Sequence, residues 1–250
     1  MKDPADNGWL GYVVIRRKGQ QDAFHSACIA LCRSKDLVHW EVGDPCCTPN
    51  RFNCFAVPDV FKLGDKWYMI ALTGDAYGQS KRWSDPEITC ATVVFQADQP
   101  EGPFEEVKDN LLLASKKNVW QGFSARTVFR NGERLMFFTR SEGINGRGRL
   151  SWPVKLTPRE EGGLNPTYWP GIDAAFGSAT TLAGDGRAMS DPAFMVTATV
   201  DLNDAKAAGI AFGNYLALLD SAGKVSLVDV ATSKPLQDRR LRASSKPSRV

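Results

Sequence analysis

Short aliphatic, β-branched and aromatic runs alternate with polar turns along most of the 250-residue chain. Trp9–Ile15 and Ala27–Cys32 are two such runs, parted by the polar turn Gly19-Gln-Gln-Asp22, and each predicts a strand. Val57–Leu63, the turn Gly64-Asp65 and Lys66–Leu72 predict strand, tight turn and strand, with Ile88–Phe95 following. Ala125–Arg130, Asn131-Gly132 and Arg134–Thr139 repeat the arrangement, and Asn-Gly between apolar runs is a strong hairpin signal. No stretch carries a sustained helical period. Asn203–Ala208 is a candidate helix start, but Gly209 and Gly213 would stop it within about two turns, so it reads as a turn.

The repeats also share their ends. Ser34-Lys-Asp-Leu-Val-His-Trp-Glu41 and Asp98-Gln-Pro-Glu-Gly-Pro-Phe-Glu105 are both polar turns that run into an aromatic residue followed by Glu. A period of roughly 55–65 residues built from four short strands is the pattern of a propeller blade, although a β-sandwich meander also repeats hairpins. Around residue 157 the character changes: Thr157–Pro166 is rich in Pro, Gly and charge, which predicts a linker over residues 157–176. Beyond it, Phe194–Asp201, Gly209–Gly213, Tyr215–Leu219 and Val225–Val230 predict closely spaced strands, fitting a β-sandwich over residues 177–237. Residues 238–250 are basic and poor in apolar side chains, which predicts a disordered tail.

Composition narrows the function classes. Thirty-one basic against twenty-eight acidic residues leave a formal charge of +3, too little to point to nucleic acid. No apolar run approaches the roughly 18–20 residues of a membrane-spanning helix, so neither nucleic acid nor membrane is an expected partner. The six cysteines, at 28, 32, 46, 47, 54 and 90, lack the Cys-x-x-Cys spacing of a zinc ribbon and have only two histidines to join them. They read as small buried apolar residues, with a disulfide among the loop cysteines left open. Nothing in the chain calls for a metal or organic cofactor.

Lys2-Asp3-Pro4, the segment Ser34–Glu41 and Phe55-Ala-Val-Pro-Asp59 together resemble glycoside hydrolase family 32, the β-fructosidase group. Leu150-Ser-Trp-Pro-Val-Lys-Leu156 with Gly163-Leu164 resembles that family's junction between propeller and sandwich, which favours family 32 over the related family 43. The resemblance implies an all-β chain: a partial five-bladed propeller of about three blades over residues 1–156, then the β-sandwich. It also implies a carbohydrate partner, a fructoside or related furanoside, and an upstream segment that completes the ring.

Retaining hydrolysis of a glycoside needs a nucleophile and an acid/base carboxyl about 5–5.5 Å apart, and the family adds a third carboxylate that grips sugar hydroxyls and stabilises the transition state. By the resemblance Asp3 is that third carboxylate, with Lys2 beside it as a sugar contact. The acid/base position falls on Ala56, which cannot deliver a proton, and Asp59 is the nearest substitute. Asp85-Pro86 and Asp191-Pro192 lack the context of the family's nucleophile motif. Trp83 and Trp120, in polar surroundings, are the candidate stacking platforms, whereas Trp9 and Trp67 read as core and Asp36 and Glu41 as turn or surface residues. The expectation is a β-fructofuranosidase-like chain that is inactive by itself. Two alternatives stay open: a non-catalytic carbohydrate-binding relative, and a family 43-like arabinosidase or xylosidase.

Overall fold

The computed structural model describes residues 1–19, 26–52, 54–74, 88–116, 120–141, 148–177, 196 and 198–240. The chain divides into two compact units, Met1–Ile172 and Asp173–Val250.

Three antiparallel sheets follow one another in the first unit. The first holds β1 (Trp9–Arg16), β2 (Ala27–Ser34) and β3 (Glu41–Cys47). Residues 1–3 lie along β1 as a short fourth strand position: Leu10 N donates to Met1 O at 2.9 Å and Asp3 N to Gly8 O at 3.0 Å. The second sheet runs in order β4 (Ala56–Leu63), β5 (Lys66–Gly74), β6 (Ile88–Ala97) and β7 (Glu105–Lys116). In the third, β8 (Trp120–Arg130) pairs with β9 (Glu133–Ser141). The other edge of β9 is shared by β10 (Gly148–Leu150) and β11 (Val154–Pro158), and β12 (Leu164–Thr167) pairs with β11. Each sheet is therefore a four-position meander, the unit that the sequence period predicts, and among the described residues the sheets do not close into a ring.

Strand alternation explains why the sheets stack. In β5, Trp67, Met69 and Ala71 face the first sheet, in one core cluster with Leu10, Ile29 and Leu31. Tyr68 and Ile70 face the third sheet, in a second cluster with Ala125, Met136 and Leu156. β6 divides in the same way, Val93 and Phe95 toward one side and Val94 toward the other. A strand buried on both faces needs apolar residues at odd and even positions alike, which is why β5 and β6 read as continuous apolar runs. Fully burying each such side chain stabilises by about 1.5–3 kcal/mol. Five of the six cysteines are buried, the sixth is half-buried, and all six are free thiols.

The turns follow the local chemistry. Asn131 and Gly132 have φ of 50° and 80°, the left-handed pair that a two-residue hairpin loop requires. Gly64, with φ of 65°, turns β4 into β5.

Several boundaries differ from the sequence expectation. Residues 157–167, given to a linker on composition, enter the third sheet: Thr157 pairs with Asn165 and Pro158 with Leu164. Pro158 and Pro166 are tolerated because β11 and β12 pair over only four residues at the edge of the sheet. In the second unit β13 (Ala207–Phe212), β14 (Tyr215–Asp220), β15 (Lys224–Asp229) and β16 (Lys234–Arg240) form one four-stranded meander. β16 takes in Asp238–Arg240, expected in the tail, by pairing with Lys224–Ser226. The described part of Phe194–Asp201 carries no strand, and a second layer facing the meander is not among the described residues.

The aromatic centre of the first core cluster gives a direct test. Phe55 is fully buried, 5.8 Å from Phe52 and 5.1 Å from Phe95 between ring centroids. Phe55→Ala is expected to lower unfolding free energy by about 3–5 kcal/mol in chemical denaturation. A loss below about 1 kcal/mol would contradict this packing.

Candidate functional site

A cavity of about 320 Å³ opens at the hairpin-turn end of the first sheet, lined by residues of 3–9 and 33–41. The Ser34–Glu41 turn that frames it is held by its own side chains. Ser34 Oγ accepts from Leu37 N at 2.9 Å, while Asp36 Oδ1 accepts from Val38 N at 2.9 Å and His39 N at 2.8 Å. Asp36 Oδ2 meets His39 Nδ1 at 2.7 Å. That contact, together with the two amides, holds the Asp36 carboxyl well below the usual carboxylate range. Leu37 takes a φ of 66°, and its carbonyl accepts from Trp40 Nε1 at 3.1 Å, which fixes the indole. Gly11 of β1 makes room for that ring: a Cβ there would come within 2.8 Å of Trp40 Cζ3. Asp36 and Glu41, which read from sequence as turn or surface residues, are exposed and also line the cavity.

Asp3 lines the same cavity. It is only 7% exposed, and its Oδ1 accepts from Ala5 N at 2.9 Å. Asp6 is paired with Lys35, and Trp9 completes the lining beside them. Lys2 is exposed, its ammonium 6.0 Å from the centre of the Trp9 ring.

Asp59 lies elsewhere, in the seam between the second and third sheets. Its Oδ2 accepts from Thr127 N at 2.6 Å. Two residues earlier, Val57 O accepts from Arg126 Nη1 at 2.7 Å. The cause is a bulge: the β4–β5 register shifts between Ala56 and Asp59, with Val57 at a φ of 47°. The bulge resets the alternation, so Asp59 lies opposite Ile70 and shares its side of the sheet, facing β8. Burial raises the Asp59 pKa, opposed by the Thr127 hydrogen bonds and by the charges of Arg126 and Arg134.

The structure does not bring the sequence candidates together. Asp3 occupies the hairpin-turn end of its strand position, whereas Ala56 begins β4 at the end farthest from the Gly64 turn. None of the cavity's lining residues comes from β4. Trp120 starts β8 opposite Ser141, with its side chain outside the described residues, and Trp83 lies outside them altogether. Trp40 and Glu41 were missed as cavity residues because a turn before an outer strand gives no sign of which strand it folds back upon. Among the described residues no group of three His, Cys, Asp or Glu side chains is placed to hold a metal ion.

The chain matches no protein-family model and no curated protein. Among solved structures, a Bombyx mori GH32 β-fructofuranosidase in complex with sucrose superposes with a TM-score of 0.61 at 12% identity, over 96% of this chain and 53% of that one. A Bacillus subtilis levansucrase gives 0.45 at 11% identity, over 54% of this chain and 33% of that one. A Cellvibrio cellulosa α-L-arabinanase in complex with arabinohexaose gives 0.34 at 12% identity, over 64% and 73%. The two lower scores carry no weight here. The chain spans about half the length of the silkworm enzyme and a third of the levansucrase. The likeness is one of fold: an all-β stack of propeller-type sheets, open among the described residues.

Asp59 yields a pH prediction. Burial lifts its folded pKa above the ordinary 3.8, so the folded state holds this proton more tightly than the unfolded state does. Stability from this group is therefore present at low pH and lost as pH rises through the raised value. Asp59→Asn keeps an acceptor for Thr127 N and removes the buried charge. The variant is expected to gain on the wild type as pH rises from about 4 to 7 in paired urea denaturation series. A difference independent of pH would show that Asp59 carries no burial penalty.

Proposed function

We propose that this chain is a carbohydrate-processing protein of the glycosidase type, β-fructofuranosidase-like in substrate class, and that by itself it hydrolyses no fructoside. The observation that carries the reading is alanine at position 56 within a chain that shares the fold of a sucrose-binding β-fructofuranosidase over 96% of its length. The absence of hydrolysis follows from chemistry. A methyl group at position 56 cannot protonate a leaving oxygen, and loss of a general acid costs about 10²–10⁴-fold in rate. Asp59 is a poor replacement, because its carboxylate is engaged with Thr127 N in a seam between sheets. Asp3 is kept as a sugar contact rather than as a partner of position 56, since it sits at the hairpin end of its own sheet.

Purified chain incubated with sucrose, inulin, levan and an aryl arabinofuranoside is expected to release no sugar above background, while retaining millimolar or tighter affinity for fructose or sucrose. Robust fructose release would overturn the inactivity. Turnover of the arabinoside alone would replace the substrate class, and binding of no sugar at all would remove the carbohydrate reading.

A further inference from the structure

We infer that the cavity at the hairpin end of the first sheet binds one sugar ring, with Trp40 as the stacking platform and Asp3 and Glu41 as hydroxyl acceptors. This site rests on the carbohydrate reading above. It deepens that reading by setting Asp3, the sugar contact the resemblance implies, in a cavity away from position 56 with Trp40 and Glu41, which the resemblance leaves without a role.

Most charges around the cavity are already satisfied. Lys35 pairs with Asp6, His39 with Asp36, and Arg33 with Glu101 at 3.5 Å. Two carboxylates remain. Asp3 is more than nine-tenths buried yet lines the cavity, and its Oδ2 has no partner among the described residues. That oxygen is open to the cavity rather than sealed in protein, so a ligand hydroxyl can donate to it. Glu41, exposed and lining the same cavity, has no ion pair among the described residues.

The remaining walls are indoles. Trp40 is 40% exposed, seated over Gly11 and anchored through its Nε1, so its orientation is fixed before any ligand arrives. Trp9 lines the same space from β1. An aromatic plane beside two hydroxyl acceptors fits a sugar, which offers an apolar C–H face and a rim of O–H donors. The volume, about 320 Å³, lies at the small end of ligand pockets, which span about 300–1,000 Å³. A metal ion is a poorer match, given that no three ligating side chains converge among the described residues.

The test is a titration of the ¹⁵N-labelled full chain with fructose and with sucrose, following the tryptophan indole N–H signals. The Trp40 and Trp9 signals, assigned by single substitution, are expected to shift with saturation. Asp3→Asn preserves an acceptor for Ala5 N and so keeps the turn, while Trp40→Ala removes the platform. Each is expected to weaken binding by about tenfold or more. Trp152→Ala, which alters a 57%-exposed indole outside the cavity, is expected to leave binding unchanged. Asp3→Asn is the decisive variant should Trp40→Ala unfold the turn. Sugar binding that survives Asp3→Asn with less than a tenfold loss would overturn this site and leave the carbohydrate reading standing. No sugar binding anywhere would overturn both. Shifts of the same indoles by choline but by neither sugar would reassign the cavity to an organic cation and overturn the proposal.

Discussion

Everything in the first unit depends on one sheet being covered on both faces. β5 and β6 place Met69 and Phe95 against the first sheet and Ile70 and Val94 against the third, so a single pair of strands contributes to two cores. Polar seams then set how the sheets meet. Tyr12 Oη donates to Pro100 O at 2.7 Å and Phe104 N to Cys46 O at 2.7 Å, joining the first sheet to the second. Arg126 and Asp59 do the same between the second and third, and Arg134 lies 4.8 Å from the centre of the Phe61 ring. Burial drives the stacking; the hydrogen bonds choose its register.

That arrangement assigns different work to the two aspartates on which a catalytic reading would rest. Asp59 is consumed by the stack: its carboxylate satisfies a backbone amide that would otherwise lack a partner where two sheets meet. Asp3 is tied at only one oxygen and left at the rim of a cavity. The candidate third carboxylate and the candidate substitute for the acid/base therefore lie apart, one lining a cavity of the first sheet and the other in a seam between the second and third. A glycosidase fold does not by itself specify glycosidase chemistry.

The strands of the first unit were legible because alternation and turn residues agree. The Asn131-Gly132 hairpin and the Gly64 turn fall where the sequence puts them, and the repeated polar turn before Trp40 and Phe104 does lead into an outer strand at Glu41 and at Glu105. Legibility failed where local chemistry and tertiary pairing disagree. Pro158, Gly162, Gly163 and Pro166 read as a linker, yet that segment folds back as the β11–β12 hairpin, whose β11 pairs with β9 through Val154 and Lys155. Asp238–Arg240 reads as a solvated tail but pairs with β15. In the candidate site, the motif resemblance supplied residue types, whereas the direction of each side chain came from features it does not encode. These are the bulge at Val57, which turns Asp59 into the seam, and the short ladder between residues 1–3 and 8–10, which puts Asp3 at the hairpin end.

The doubly covered middle sheet can be tested directly by native-state hydrogen exchange, which reports the opening free energy of individual backbone amides. Amides of β5 and β6, from Tyr68 to Leu72 and from Ala91 to Phe95, are predicted to be the slowest in the chain, exchanging only through global unfolding. The four-stranded meander Ala207–Arg240, which has no fully buried side chain between Ala207 and Ser233, should exchange faster. Protection in β5 and β6 no greater than in that meander would contradict the account.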